Sequence, residues 1–407
     1  MGFDFTSSLS SNATNKAARW KNIPPFHFIG GNIDEPSVPA EALADAVSTA
    51  LRREGNAMGK YGMNSGPQGN LALREFIVKN LKDKAATEAS ADDVLVTTGS
   101  MQAMELVFDA FLDKGDTIIL EGANYGGAIS AFKRRGINHI GIELDEGGMR
   151  MDKLREALEE LKSKGIKPKF IYTIPTVQNP TGTVMSVERR REMLAIAKEF
   201  DLPIFEDDCY ADLIWEGERP PAIQSMDDEG RVIYCATFSK TIAPALRVGY
   251  IVAPWSILQH ILPLKIDAGS GMLEQMALAE YLPDNFDKHV EQVRGIFKEK
   301  CDTMVAALNE NFGATAEFSA PKGGIYIWVT LPEHVDTRQL AAAAAAEGLA
   351  INPGPEWSVV GEENKHRMRL CFGHPSLETI KVGIAKLADV CFQEFGVPTR
   401  SGNISRG

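Results

Sequence analysis

A lysine follows a predicted strand in TFSKTIAPALRVGY, the segment that spans residues 237–250. RVIYCA (231–236) has the pattern of a buried strand, hydroxyl side chains surround Lys240 at positions 237, 239 and 241, and Arg247 follows seven residues later. A primary amine can condense with a carbonyl compound, and hydroxyl and guanidinium groups can hold a phosphate. An isolated lysine after a strand is most often a surface residue, so a chemical role needs support from elsewhere in the chain.

Polar side chains follow four other predicted strands. They are Ser100 and Gln102 after DDVLVTTG (92–99), Tyr125 after TIILEGA (117–123), Asn179 in TVQNPTG (176–182), and Tyr210 with three consecutive acids (206–208) in FEDDCYADL (205–213). Singly, each has an ordinary explanation: a helix cap for serine, a turn for Asn-Pro, packing for tyrosine and a solvated turn for the acids. Because the carboxyl ends of parallel strands meet at one edge of a sheet, we expect all of them to lie close to Lys240.

These groups together meet the requirements of pyridoxal 5′-phosphate (PLP). Its aldehyde condenses with a lysine, its ring nitrogen needs a carboxylate, and its phenolate oxygen takes hydrogen bonds. Lys240 supplies the amine, and Asp207 or a neighbouring acid supplies the carboxylate. Asn179 and Tyr210 supply hydrogen-bond donors, and Tyr125 supplies a ring that can stack. The groups suited to the phosphate are Ser100, Gln102, Thr237, Ser239 and Arg247.

The order of apolar patterns along the chain predicts an α/β fold. From residue 92 onward, short apolar runs alternate with helical patterns, which is typical of βαβ units and a mostly parallel sheet. Residues 284–312 form a long helical pattern suited to linking two domains, and the segments after it predict an α+β module. The predicted parts are an N-terminal arm (1–25), a large PLP-binding domain (61–295) and a small α+β domain (26–60 with 296–407).

Composition excludes several classes of function. The net charge of −12 and the pI of about 5.2 argue against nucleic acid or an anionic membrane as a partner. No apolar run is long enough to span a membrane, and no signal peptide is expected. The five cysteines are widely spaced without C-x-x-C, which predicts reduced thiols and a cytoplasmic location. The seven histidines lack metal-binding spacing, so no metal site is predicted.

Several motifs resemble the class I and II aminotransferases of PLP fold type I. TFSKTIAPALRVGY is similar to the family segment S-x-S-K-x-x-x-P-x-x-R-x-G-[YF], with Thr237 where serine is common. NPTG and EDDCYADL resemble two further signatures, and TTGSMQAMEL resembles a third with Met101 in place of a usual glutamine. GGIYIWVTLP, PGPEW and RMRLCF match stretches of the smaller domain. The resemblance extends from about residue 26 to 396, and the 2-aminoadipate and kynurenine aminotransferases are the most similar subgroup.

The resemblance implies a three-layer α/β/α large domain with a mostly parallel sheet, a smaller α+β domain, and specific roles in catalysis. Lys240 corresponds to the lysine that forms a Schiff base with the cofactor and moves a proton. The D-x-x-Y spacing selects Asp207 as the partner of the ring nitrogen. Tyr210 and Asn179 correspond to donors to the phenolate oxygen, and Tyr125 to the stacking residue.

The resemblance also implies how phosphate, substrate and a partner subunit are bound. The residues expected to bind the phosphate are Ser100, Met101, Gln102, Thr237, Ser239 and Arg247. Arg369 is expected to bind the substrate α-carboxylate, although Arg367 lies on the same strand face, and Gly31 and Asn179 are expected beside the substrate. Tyr61 is expected to reach the cofactor of a partner subunit, which implies a homodimer.

The predicted activity is transamination between an L-amino acid and a 2-oxo acid such as 2-oxoglutarate or pyruvate. The amino acid is aromatic, aliphatic or similar to 2-aminoadipate, and a contact from Arg19 to the substrate is left open. One alternative keeps PLP but performs β-elimination or decarboxylation. Another is a ligand-sensing module of a transcription regulator, disfavoured because the 25 or so residues before the fold are not basic.

Overall fold

The computed structural model describes residues 4–10, 13, 16, 17, 19 and 22–398. The other residues of the predicted arm, and residues 399–407 of the predicted small domain, lie outside this part of the chain. The helices are α1 Ala40–Glu54, α2 Leu71–Ala85, α3 Ser100–Phe111, α4 Gly126–Arg135, α5 Met151–Ser163, α6 Val187–Glu199, α7 Trp255–Ile261, α8 Met272–Phe312, α9 Thr337–Ala346 and α10 Leu377–Phe395. The strands are β1 Phe26–His27, β2 Val94–Thr97, β3 Thr117–Glu121, β4 Asn138–Ile142, β5 Leu144–Asp145, β6 Gly148–Met149, β7 Ile171–Thr173, β8 Ile204–Asp207, β9 Val232–Thr237, β10 Gly249–Val252, β11 Tyr326–Thr330, β12 Leu349–Ala350, β13 Asn352–Pro353 and β14 Arg367–Cys371.

Seven strands form the large sheet in the order β2-β10-β9-β8-β7-β3-β4. Only β10 is antiparallel to its neighbours, so the prediction of a mostly parallel sheet is confirmed. Every residue of these strands except those of β4 is buried, and most are apolar, because helices cover both faces of such a sheet. Leu95 packs with α3, α4 and α7 on one face, whereas Val94 and Val96 pack with α2 and α8 on the other. The result is the predicted three-layer α/β/α arrangement.

The direction of the strands decides where the loops meet. Strands β2, β3, β7, β8 and β9 all end at one edge of the sheet. The antiparallel strand β10 begins at that same edge, where Gly249 pairs with both Thr97 and Thr237. The residues before β10 are therefore brought next to those that follow β2 and β9.

A second core belongs to the smaller part of the molecule, which contains the three-stranded sheet β11-β14-β13 with α9 and α10. Strand β1 pairs in parallel with β12, so the beginning of the chain joins this part. Phe28 and Ile33 lie in its core, whereas Ala46 of α1 packs with Leu73 and Ile77 of α2. The predicted boundaries therefore stay a prediction, because the range 26–60 contributes to both cores.

Helix α8 connects the two cores. Its residues up to Val290 pack with the large sheet, and those from Val293 onward pack in the second core. It begins at Met272 rather than at the predicted residue 284, and it continues through Pro283. The buried side chains of Leu278 and Leu282 hold this first part in place despite the proline. Among the helices of the described residues, none combines the length and apolar character that a membrane span requires.

Candidate active site

A cavity of about 800 Å³ lies at the edge of the sheet where the five strands end, and the smaller domain forms its other wall. Nearly all residues predicted for the site line it. They are Gly31, Ser100, Met101, Tyr125, Asn179, Asp207, Tyr210, Thr237, Ser239, Lys240, Arg247 and Arg369. The fold thus brings together side chains that are far apart in the sequence.

Lys240 follows β9 by three residues and reaches into this cavity. Its Nζ donates a hydrogen bond to the Gly31 carbonyl at 2.7 Å, and a Cβ at position 31 would lie only 2.6 Å from Nζ. Burial is the main cause that lowers the pKa of the Lys240 amine, and the charges of Arg369 and Arg247 act in the same direction. More of the amine is therefore unprotonated and nucleophilic at neutral pH than in an exposed lysine.

Asp207 is the last residue of β8, and its side chain is buried. The Tyr172 hydroxyl donates to Oδ2 at 2.8 Å. Oδ1 is buried without a hydrogen bond of ordinary geometry to any described residue, although the thiol and amide of Cys209 lie beside the carboxyl group. Burial raises the pKa of Asp207, so the carboxylate gains most from a cation next to it. A protonated ring nitrogen fits this position.

Arg369 lies on β14 and connects the smaller domain to the large one. Its Nη1 donates to Asn179 Oδ1 at 3.0 Å, and its Nη2 donates to the Gly30 carbonyl at 2.5 Å and to Asn352 Oδ1 at 2.9 Å. The guanidinium carbon lies 4.0 Å from the centre of the Trp357 ring. These contacts hold the planar group in one orientation and leave Nε without an acceptor among the described residues. A guanidinium fixed in this way suits the binding of a carboxylate.

Two tyrosines contribute to the cavity wall. Tyr210 is buried, its ring centre lies 5.2 Å from that of Tyr326, and burial raises its pKa well above the ordinary value of 10.0. Its hydroxyl therefore stays protonated and can donate a hydrogen bond. Tyr125 immediately precedes α4, and its ring centre lies 6.2 Å from that of Trp357.

Hydroxyl, amide and guanidinium groups meet at one end of the cavity. Thr237 Oγ1 and Ser239 Oγ lie 2.9 Å apart, and α3 begins at Ser100 with its amide groups directed toward the cavity end. Gly99 has a φ of +76°, and a Cβ there would overlap the Arg247 guanidinium. A helix N-terminus with an adjacent arginine is a favourable site for a phosphate.

Gln102 is not among the residues that line this cavity, so its predicted contact with the phosphate stays a prediction. Its side chain contacts the Thr98 amide, Lys265 and Asp267 instead. The reason is helical periodicity: Ser100, Met101 and Met104 share the face toward the cavity, whereas residue 102 is rotated away.

Three other predicted or considered residues lie outside the cavity. Tyr61 is 90% exposed and lines a separate small cavity with Ala268 and Met272, so its contact with a partner subunit stays a prediction. Arg367 lines a different cavity and donates to Asn364, which separates it from Arg369. Arg19 is exposed.

Sequence reasoning missed several residues of the wall. Trp357 lies in PGPEW, a stretch that was recognised without a role for this side chain, and Gly30 directly precedes the predicted Gly31. Cys209 and Asn352 carried no distinct signal. The pKa of the Cys209 thiol is raised well above its ordinary value by its hydrogen bond with Cys235 and by burial, which leaves it unreactive.

The residues present fit PLP. The cavity has an amine whose pKa is lowered by burial, a buried carboxyl group with one oxygen free of hydrogen bonds to described residues, an aromatic ring in its wall and an end suited to a phosphate. Residues 32–387 match the family described as aminotransferase class I and II.

The chain belongs to this family.

Known relatives of the aminotransferase support the same conclusion. It is 34% identical over 370 residues to the aromatic-amino-acid aminotransferase 1 of Thermococcus litoralis, which covers 90% of this chain and 88% of that protein. It superimposes with a TM-score of 0.87 and 30% identity on the alpha-aminoadipate aminotransferase of Thermus thermophilus, solved with N-(5′-phosphopyridoxyl)-L-leucine, over 97% of this chain and 100% of that one. The protein is thus a PLP-dependent transaminase.

The alternatives considered from the sequence are not favoured. An uncharacterised HTH-type transcriptional regulator of Bacillus subtilis is 32% identical over 326 residues, which covers 79% of this chain and 66% of that protein. The family match and the similar aminotransferases nevertheless favour transamination over a sensing role, β-elimination or decarboxylation.

Gly99→Ala tests the phosphate-binding end of the cavity. The added Cβ would displace Arg247, so we expect PLP to bind about 10-fold more weakly because a charge-assisted hydrogen bond is lost. Titration of the apoenzyme with PLP measures this. Gly115→Ala is the matched control: its φ is +93° but no atom lies within 4 Å of the added Cβ. It should lower stability by about 1 kcal/mol without changing the affinity. An unchanged affinity of Gly99→Ala would contradict the assignment.

Proposed function

We propose that Lys240, Asp207 and Arg369 carry the transamination, each acting on a different part of the cofactor and substrate. The observation that supports this most directly is that all three line one cavity although they come from different strands and different domains. Bound PLP supplies an electron sink that stabilises the negative charge left when a proton leaves the α carbon of an amino acid. The residues of the chain bind, orient and transfer protons around this centre.

Lys240 has two tasks in this proposal. Its Nζ would hold the aldehyde carbon of PLP covalently, with loss of water, until the amino group of the substrate takes its place. The freed amine would then accept the proton from the substrate α carbon and return it one position away. The lowered pKa of this amine favours both tasks because the unprotonated form is the nucleophile and the base.

Asp207 keeps the ring nitrogen protonated. Its carboxyl group is buried, and its open Oδ1 accepts the proton-bearing nitrogen as a hydrogen-bond donor. Tyr210 and Asn179 donate to the ring oxygen, and Tyr125 packs on the ring. Ser100, the Met101 amide, Thr237, Ser239 and Arg247 are proposed to hold the phosphate.

Arg369 is proposed to bind the α-carboxylate of the substrate, with Gly31 and Asn179 beside it. The amino donor is an aromatic, aliphatic or 2-aminoadipate-like L-amino acid, and the acceptor is a 2-oxo acid such as 2-oxoglutarate or pyruvate. The named activities of the similar proteins support this range. Lys133, which lines the cavity, offers a cation for an acidic side chain, and the exposed Arg19 is a second candidate.

The aminotransferase is also proposed to act as a homodimer in which Tyr61 of each subunit reaches the partner's phosphate site. Tyr61 and Ile266 are 90% and 93% exposed, although both are large apolar side chains. Large apolar side chains that are exposed are typical of a subunit interface. Tyr61 shares a small cavity with Ala268, which follows Ile266 by two residues. A cytoplasmic location is proposed on the basis of the five free thiols, four of which are buried.

Lys240→Ala should abolish turnover and the visible absorption band of the bound cofactor, because the only proposed covalent attachment is removed. Lys240→Arg keeps the charge but should also be inactive, since the guanidinium stays protonated. The assay follows 2-oxo acid formation from the donor and amino acid formation from the acceptor. Release of ammonia or carbon dioxide instead would identify elimination or decarboxylation, and full turnover in Lys240→Ala would overturn the assignment.

Arg369→Lys should raise the KM for amino acids by about 100-fold, because a single ammonium group cannot reproduce the planar guanidinium that is held by three acceptors and the Trp357 ring. The affinity for PLP should change little. Arg367→Lys, two residues away on the same strand, is the control and should leave KM unchanged. Equal effects of the two substitutions would argue against a specific contact of Arg369 with substrate.

Tyr61→Phe should weaken PLP binding by about 10-fold through the loss of one hydrogen bond to phosphate, while the particle mass stays that of a dimer. Ile266→Arg should produce monomers with weak PLP binding. Light scattering and PLP titration on the same samples measure both quantities. A wild-type mass of one 44.4 kDa chain would contradict the proposed dimer.

A further inference from the structure

A buried hydrogen-bond cluster lies behind the cavity wall. Glu121 ends β3, and its side chain is 1% exposed. Its Oε1 accepts hydrogen bonds from Thr173 Oγ1 at 2.7 Å and from the Ile174 amide at 3.0 Å. Its Oε2 accepts a hydrogen bond from Asn124 Nδ2 at 2.6 Å. Glu121 therefore ties the end of β3 to the end of β7 and to the loop that precedes α4.

Asn124 extends this connection to two aromatic residues of the cavity. Its side-chain Oδ1 accepts a hydrogen bond from the backbone amide of Tyr125 at 2.6 Å. Its backbone amide donates to the backbone carbonyl of Trp357 at 2.9 Å. The centres of the Tyr125 and Trp357 rings lie 6.2 Å apart, and the Trp357 ring also contacts the Arg369 guanidinium. Asn124 is completely buried, so its contacts define the backbone position of both aromatic residues.

We propose that Glu121 and Asn124 form a buried clamp that positions Tyr125 against the cofactor and Trp357 against Arg369. In the part of the chain that the structure describes, neither residue lines the cavity, so both act through the residues that they hold. The inference rests on the proposed roles of Tyr125 and Arg369. It assigns a positioning role to residues 121 and 124, for which the sequence offered no signal.

The clamp requires a carboxylate rather than an amide at position 121. Both oxygens of Glu121 accept hydrogen bonds, and all three partners are donors. A glutamine would turn an NH₂ group toward one of these donors. If Asn124 rotated to accept from that NH₂ group, its own NH₂ would face the Tyr125 amide, and that hydrogen bond would be lost.

Glu206 provides a matched control for Glu121. It is equally buried in β8, which is separated from β3 by β7, and burial raises the pKa of both carboxyl groups to about 7. Glu206 accepts hydrogen bonds from the amides of Ile223 and Gln224, which lie away from the cavity. Glu206→Gln therefore changes an equally buried carboxylate without altering the clamp, although it also removes the charge that faces the buried Arg190 at 3.8 Å.

The test compares Glu121→Gln with Glu206→Gln in the full-length enzyme. Hydrogen–deuterium exchange of the cofactor-free proteins should become faster in peptides covering 122–128 only for the first variant, and in peptides covering 222–226 only for the second. Glu121→Gln should bind PLP about 10-fold more weakly and raise the KM for the amino donor by about 10-fold with a smaller change in kcat. Glu206→Gln should lose stability with PLP affinity unchanged.

A double-mutant cycle with Asn124→Ala decides whether Glu121 acts through Asn124. The combined variant should match Asn124→Ala alone in PLP affinity and KM. Asn124→Ala already removes the hydrogen bond between Asn124 and Glu121, so Glu121→Gln has no further effect through Asn124. Additive effects, or equal effects of Glu121→Gln and Glu206→Gln on PLP affinity, would overturn the clamp and leave only a contribution to stability. Exchange and PLP binding do not depend on turnover, so a failure of the proposed transamination would be recognised separately.

Discussion

The shared direction of β2, β3, β7, β8 and β9 is the constraint on which the cavity depends. Because these strands end at one edge, the polar residues that follow them must meet there, whatever their distance in the sequence. The reversed strand β10 completes the arrangement by starting at the same edge. This places Arg247 over Gly99, at the N-terminus of α3, which is where a phosphate is most favourably bound.

Burial then gives these side chains their chemical properties. The same removal from water lowers the pKa of the Lys240 amine and raises the pKa of the Asp207 carboxyl group. Each group is thereby shifted toward its neutral form, which for lysine is the reactive one. For Asp207 the shift means that a protonated ring nitrogen nearby is strongly favoured. A single physical effect thus prepares the amine as a nucleophile and the carboxyl group as a partner for a cation.

The sequence predicted most elements well because their apolar periodicity is strong. The strands predicted at 92–99, 117–123 and 231–236 agree with β2, β3 and β9 within a few residues. The start of α8 was missed because Pro283 is a local signal against helix, whereas the buried residues around it act through tertiary packing.

The sequence by itself determined the identity of the reactive groups. Lys240, Asp207 and Asn179 stand in motifs whose residue types and spacing are visible without coordinates. Only the tertiary structure placed Arg369 and Arg367 at different cavities, directed the Gln102 side chain toward Asp267 and joined Glu121 to Asn124 behind the cavity wall. The physical reason is that a motif records local spacing, whereas the direction of a side chain and its hydrogen-bond partners depend on how distant segments pack.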